Sequence, residues 1–145
     1  GVSGGQVPRV HPERARRIFH GLHQAIERGL VRACHDLSEG GLAVAAAEMA
    51  FAGGLGARLA LEGMPRPETL QEPVMLLFSE SNSRFLCEVR PELAGEFEAV
   101  LADAPIARLG EVVSEPVLEI TWQGRTLVQS DLNSLKQAWL RPLDW

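Results

Sequence analysis

No run of about 18 consecutive apolar residues occurs, which is the length a helix needs to cross a bilayer. The N-terminus also lacks a basic stretch leading into an apolar one, the pattern of an export signal. Neither a membrane-spanning helix nor a membrane partner is expected. Cysteine is scarce: only Cys34 and Cys87 are present, too few for a disulfide-built scaffold. Each lies in an apolar run that reads as a strand, where small buried thiols are common, so a reduced, cytoplasmic setting is expected. Positive charge is short as well, with 14 basic against 19 acidic residues and a formal net charge of -5. Only Arg14, Arg16 and Arg17 gather, and they read as the solvated face of a helix, so no nucleic-acid partner is expected. Internal repeats and low-complexity tracts are absent.

What is present is the balance of an ordinary globular domain, with 46% hydrophobic and 23% charged residues. A length of 145 residues suits one hydrophobic core. The chain opens Gly1-Val2-Ser3-Gly4-Gly5 without a methionine. Residues 1–11 therefore read as a linker remnant of a preceding domain and 12–145 as a single domain.

Pro12 suits a first helical turn and Gly29 a helix end, and between them Ala15, Ile18, Phe19, Leu22, Ala25 and Ile26 recur at helical spacing. A helix is predicted over 12–28. Leu30 to Cys34 reads as a short buried strand, followed by the polar, glycine-bearing run 35–41 and an alanine-rich helix over 42–51, apolar enough to be buried on more than one side. Ala57 to Leu61 alternates like a strand. Val74 to Phe78 fits helix or strand equally, because so short an apolar run has no diagnostic period. Strands are predicted over 85–89, 107–113, 117–122 and 126–128, with Gln123-Gly124 turning the last pair as a hairpin. Pro91 opens a further helix carrying Leu93, Phe97, Val100 and Leu101, and Ser130 or Asp131 caps a final one carrying Leu132, Leu135 and Trp139. The class is α+β. The helices 12–28 and 42–51 are expected to pack on one mixed sheet containing 30–34, 85–89, 107–113 and 117–122.

Two segments could carry chemistry. The run His35-Asp36-Leu37-Ser38-Glu39-Gly40-Gly41 lies between a strand and a helix, the arrangement in which phosphate sites use close backbone approach and the helix dipole. Asp36 could hold magnesium, and Ser38, Gly40 and Gly41 could meet phosphate. The simpler reading of the same residues is that Ser38 or Asp36 caps the helix and the glycines permit the turn. The second segment, Ser79-Glu80-Ser81-Asn82-Ser83-Arg84, could line a ligand site, with Arg84 suited to a phosphate or carboxylate; alternatively it is a turn in which Arg84 pairs with Glu80. Glu48, alone in its apolar helix, requires a partner if buried, and an arginine is the expected one. No Gly-x-Ser-x-Gly or other nucleophile context accompanies His35, so Cys34–His35 does not read as a catalytic dyad.

The string from Ala33 through the His35–Gly41 run to Val44, followed by Ala47-Glu48-Met49-Ala50, resembles the C-terminal-half signature of phosphoribosylformylglycinamidine synthase. Leu77-Phe78 together with the Ser79–Arg84 segment and Phe85 does so too, at the expected separation. The synthase is similar to aminoimidazole ribonucleotide synthetase, selenophosphate synthetase, thiamine-monophosphate kinase and a hydrogenase maturation factor. All are built from an N-terminal domain and a C-terminal α/β domain, the latter partly ferredoxin-like with a mixed sheet flanked by helices. Asn82, where the first half of the synthase usually has glutamine, places the resemblance in the second half.

That resemblance implies an ATP-dependent ligase of purine biosynthesis, converting formylglycinamide ribonucleotide and glutamine-derived ammonia to formylglycinamidine ribonucleotide. The catalytic groups would lie on other domains, so residues 1–145 alone would be inactive. Asp36 would ligate Mg2+ and Ser38 would contact phosphate at an auxiliary nucleotide half-site. The implied partners are the N-terminal ATP-binding domains of the same chain, a glutaminase subunit and a small accessory subunit. A different class of function stays open: a structural and interface module of that enzyme, with another member of the same ATP-binding superfamily as the further alternative.

Overall fold

The computed structural model describes residues 7–143; the Gly1–Gly5 start read as linker lies outside the described residues. The helices are α1 (Pro12–Glu27), α2 (Gly41–Gly53), α3 (Pro73–Phe78), α4 (Ala94–Val100) and α5 (Leu132–Leu140). The strands are β1 (Val31–Asp36), β2 (Gly56–Ala60), β3 (Phe85–Val89), β4 (Gly110–Val113), β5 (Val117–Trp122) and β6 (Arg125–Asp131). This is the expected α+β class. The ambiguous run 74–78 is helical: Pro73 starts it with its fixed φ, and the run buries Leu76 and Leu77 together. Gln123 and Gly124 both take positive φ (49° and 70°), the two-residue turn that matches the twist of the β5–β6 hairpin. Asp131 caps α5, accepting from the Ser134 N–H at 2.8 Å.

The single mixed sheet expected from the sequence is instead two. β1 and β3 form an antiparallel ribbon, while β4-β2-β5-β6 form a mixed sheet in which β2 and β5 run parallel. The reason lies in α2. Its sequence is apolar on nearly every side, and it touches β1 and β3 on the one hand and β2 and β5 on the other. Both strand sets can therefore bury against one helix without being continuous. Leu42, Ala46 and Ala50 of α2 share the core with Leu76, Leu77, Leu118, Ile120, Trp122 and Leu132. The predicted strand at 107 begins only at Gly110. α1 buries Ala15, Leu22 and Ala25, whereas Phe19 and Ile26, expected on its inner face, are about half exposed. Phe19 meets the edge of Phe85 instead, with ring centroids 5.8 Å apart.

Glu48, the one charge in α2, is held by His35 and Trp139 rather than by the expected arginine. His35 Nε2 lies 2.8 Å from Glu48 Oε2, and Trp139 Nε1 donates to Glu48 Oε1 at 2.8 Å. A carboxylate can accept at both oxygens, so one side chain ties β1, α2 and α5 together. His35 Nδ1 also lies 2.7 Å from the Asp36 carbonyl oxygen. Both neighbours of the ring are acceptors, and both nitrogens can donate at once only as imidazolium. The Asp36 carbonyl and, after it, Glu48 hold His35 above its ordinary pKa, against the opposing effect of partial burial.

Two outcomes follow from this architecture. Ile120→Ala, at a fully buried position, should cost about 2–5 kcal/mol in urea unfolding, since removing a buried branched side chain loses transfer energy and leaves a cavity. The ring protons of His35 should titrate with a midpoint above ~6.5, and Glu48→Gln should bring that midpoint down. Because the folded value is the raised one, the stabilisation is complete below about pH 6.5 and is lost as pH climbs through the folded midpoint. Melting temperatures measured across that window should fall more for the wild type than for E48Q; equal slopes would mean that the tie does not titrate.

Candidate functional site

The sequence suggested a strand ending at Cys34, but β1 continues through His35 and Asp36. The extension comes from pairing: His35 sits opposite Leu86, Asp36 opposite Phe85, and the Leu37 N–H donates to the Arg84 carbonyl at 3.0 Å. This ladder sets the loop after β1 beside the loop before β3. The two polar segments, 43 residues apart by Asp36 and Ser79 in the chain, thus form one open groove of about 420 Å³, lined by Cys34, Asp36, Ser38, Glu80, Ser81 and Arg84 among others.

Asp36 is exposed, and its carboxyl is held below the usual range first by the hydroxyl of Ser38. It is an anion at neutral pH. Neither Asp36 nor Ser38 caps α2: the cap residue is Gly40, and no side chain bonds to the helix start from the cap position. The Gly40 N–H donates instead to Glu80 Oε1, at 2.8 Å, so a carboxylate from the second loop already sits at the start of the helix. Gly40 and Gly41 both have positive φ (75° and 64°). A Cβ on Gly41 would also stand 2.8–2.9 Å from backbone atoms of Leu77, Phe78 and Ser79. Close approach of α2 to the end of α3 is what requires glycine there.

The second loop is not the Arg84–Glu80 turn. Glu80 faces Gly40, whereas Arg84 donates to the Ser79 carbonyl at 3.1 Å and lies 3.4 Å from Met64 Sδ. Among the described residues Arg84 forms no ion pair. Burial lowers its pKa, yet a guanidinium remains charged at any physiological pH. Ser79 and Ser81 hydroxyls lie 3.0 Å apart, and Ser83 takes a left-handed φ of 64° to turn the chain towards β3. Two carboxylates, Asp36 and Glu80, therefore share one groove with hydroxyls and a guanidinium that forms no ion pair among the described residues, and such a set of groups can meet both a cation and an anion. Among the described residues no three His, Cys, Asp or Glu side chains cluster tightly enough to hold a metal by themselves.

Two features went unread in the sequence. One is the Glu80–Gly40 contact, which only tertiary structure could supply. The other is a thiol pair. Cys34, expected to be buried, is exposed, because β1 alternates and Cys34 falls on its outer side. It stands opposite Cys87 with the sulfurs 3.6 Å apart. The Cys87 thiol donates to Cys34, which holds Cys34 below the usual thiol range and, with burial, Cys87 above it. Strand periodicity was the available signal for the outward Cys34.

The fold is shared with known proteins. The chain is similar to phosphoribosylformylglycinamidine synthase subunit PurL of Deinococcus radiodurans, with 39% identity over 144 residues, covering 99% of this chain and 19% of that protein. T. maritima PurL complexed with FGAR matches with a TM-score of 0.81 and 25% identity, covering 89% of this chain and 22% of that one. T. maritima PurL complexed with ATP matches with a TM-score of 0.75 and 26% identity, over 83% of this chain and 21% of that one. The chain thus spans about a fifth of the length of these relatives. The family model for the AIR synthase related protein C-terminal domain matches residues 2–123, and the chain belongs to that family.

Proposed function

We propose that this chain acts as the C-terminal domain of an ATP-dependent ligase of purine biosynthesis, phosphoribosylformylglycinamidine synthase, and that its groove is half of an auxiliary nucleotide site. The supporting observation is the convergence of Asp36, Ser38 and Arg84, from two loops far apart in sequence, on one open groove. Arg84 would meet a phosphate oxygen, the Ser38 hydroxyl a second one, and the Gly40-Gly41 turn would bring the start of α2 alongside. Asp36 is the exposed carboxylate that would face Mg2+. Magnesium binds through one or two carboxylates plus phosphates and keeps several waters, so the exposed Asp36 carboxylate, in an open groove that Glu80 also lines, fits it. When bound, the ion would offset charge on the phosphates. The other half of the site, the catalytic groups, a glutaminase subunit and a small accessory subunit would come from outside these residues, within the cytoplasm.

A structural and interface role is the second reading. Two observations favour it: Glu80 already satisfies the Gly40 N–H, and α3 presents Val74, Met75 and Phe78 to solvent at 65%, 50% and 49% exposure. A phosphate seated at the helix start would meet the like charge of Glu80.

The two readings separate by experiment on the full-length enzyme. Asp36→Asn should weaken magnesium-dependent nucleotide retention at the auxiliary site by about tenfold or more, ~1.4 kcal/mol, while leaving the isolated domain folded. Unchanged nucleotide content, stability and activity would leave the structural module as the function. The 145-residue chain alone should release no ADP in the presence of formylglycinamide ribonucleotide, ammonia and ATP; turnover by it would overturn the assignment of catalysis to other domains.

A further inference from the structure

The β1–β3 ribbon carries a dithiol that the proposed nucleotide chemistry does not use. Cys34 and Cys87 are directly opposed in the antiparallel register, and their sulfurs already lie 3.6 Å apart. Directly opposed residues in such a ladder have Cα atoms roughly 4.5–5.5 Å apart, inside the roughly 4.4–6.8 Å that a disulfide spans. Neither strand would have to move far to close the bond. Cross-strand Cβ atoms rest roughly 4.5–5.5 Å apart, however, against the 3.5–4.5 Å typical of a disulfide. The closed bond would draw the strands inward, and strained, accessible disulfides are the readily reduced ones. Exposure differs between the two: Cys34 is exposed and lines the groove, and Cys87 is partly buried behind it.

We propose that Cys34 and Cys87 are a reversible redox modification site, closing as a cross-strand disulfide by exchange with a low-molecular-weight disulfide. Cys34, the accessible sulfur, attacks one sulfur of the small disulfide as its thiolate. That S–S bond breaks, one small thiolate leaves, and a mixed disulfide forms on Cys34. Cys87, already in contact, loses its proton and attacks the Cys34 sulfur, expelling the second small thiolate. Two protein thiols are oxidised and one small disulfide is reduced to two thiols. The bond formed staples the strands that deliver both loops of the groove: Cys34 is two residues before Asp36, and Cys87 three after Arg84.

The test uses the full-length chain incubated with glutathione disulfide at neutral pH, with peptide mapping under non-reducing conditions. The wild type is expected to yield a peptide linking 34 to 87 with loss of both thiols, and dithiothreitol should restore them. Cys87→Ser should stop at glutathione on Cys34, and Cys34→Ser should leave Cys87 largely unreacted. A wild-type protein that retains both thiols, or that accumulates glutathione on Cys34 without the cross-link, would overturn the proposal, and neither result depends on how the variants fold.

Discussion

Burial of α2 is the constraint on which the rest of the structure depends. A helix of Gly, Leu, Ala, Val, Met and Phe with a single carboxylate cannot face water on any broad side. The chain answers by wrapping it: the β1–β3 ribbon, the mixed sheet, α3 and α5 all contact it. Small alanines at 45, 46 and 50 allow close approach, and the larger Leu76, Leu118 and Ile120 fill the space around them. The division of strands into two sheets is then a consequence of one helix having two sides to cover.

Glu48 is the polar exception that this burial has to accommodate. An unpartnered carboxylate at that depth would cost free energy, and Trp139 and His35 supply a donor to each oxygen. The same bonds orient His35 at the end of β1 and so hold the backbone at Asp36, to whose carbonyl oxygen the other ring nitrogen is bonded. The core and the groove rim are thereby mechanically continuous.

At the rim, the ladder between β1 and β3 does for the loops what α2 does for the core. It lines up Asp36 and Ser38 with Ser81 and Arg84, and the Glu80–Gly40 bond fastens the second loop to the start of α2. Charge is distributed unevenly there. Arg84 has no counter-charge among the described residues, while Glu80 already occupies a helix amide. The cationic side of the groove is thus at Arg84, and Glu80 holds the amide at Gly40.

Local information was enough for much of this. The fixed φ of Pro12, the period of the α1 side chains, the alternation of β5 and the Gln123-Gly124 turn determine elements within one or two residues, because each rests on contacts a few positions apart; the run after Pro73 stayed open between helix and strand, and after Pro91 the α-helix begins only at Ala94. The runs 35–41 and 79–84 were recognisable as polar from their residues alone, but that β1 takes in His35 and Asp36 was not. Only the tertiary structure decided that they share one groove, that Glu80 turns to Gly40 and leaves Arg84 without a carboxylate, that Glu48 takes His35 and Trp139, and that Cys34 meets Cys87. Those pairings join residues 13 to 91 positions apart. Which partner a side chain finds at such separations is set by how strands register and helices pack, a property of the assembled core that no local pattern of residues encodes.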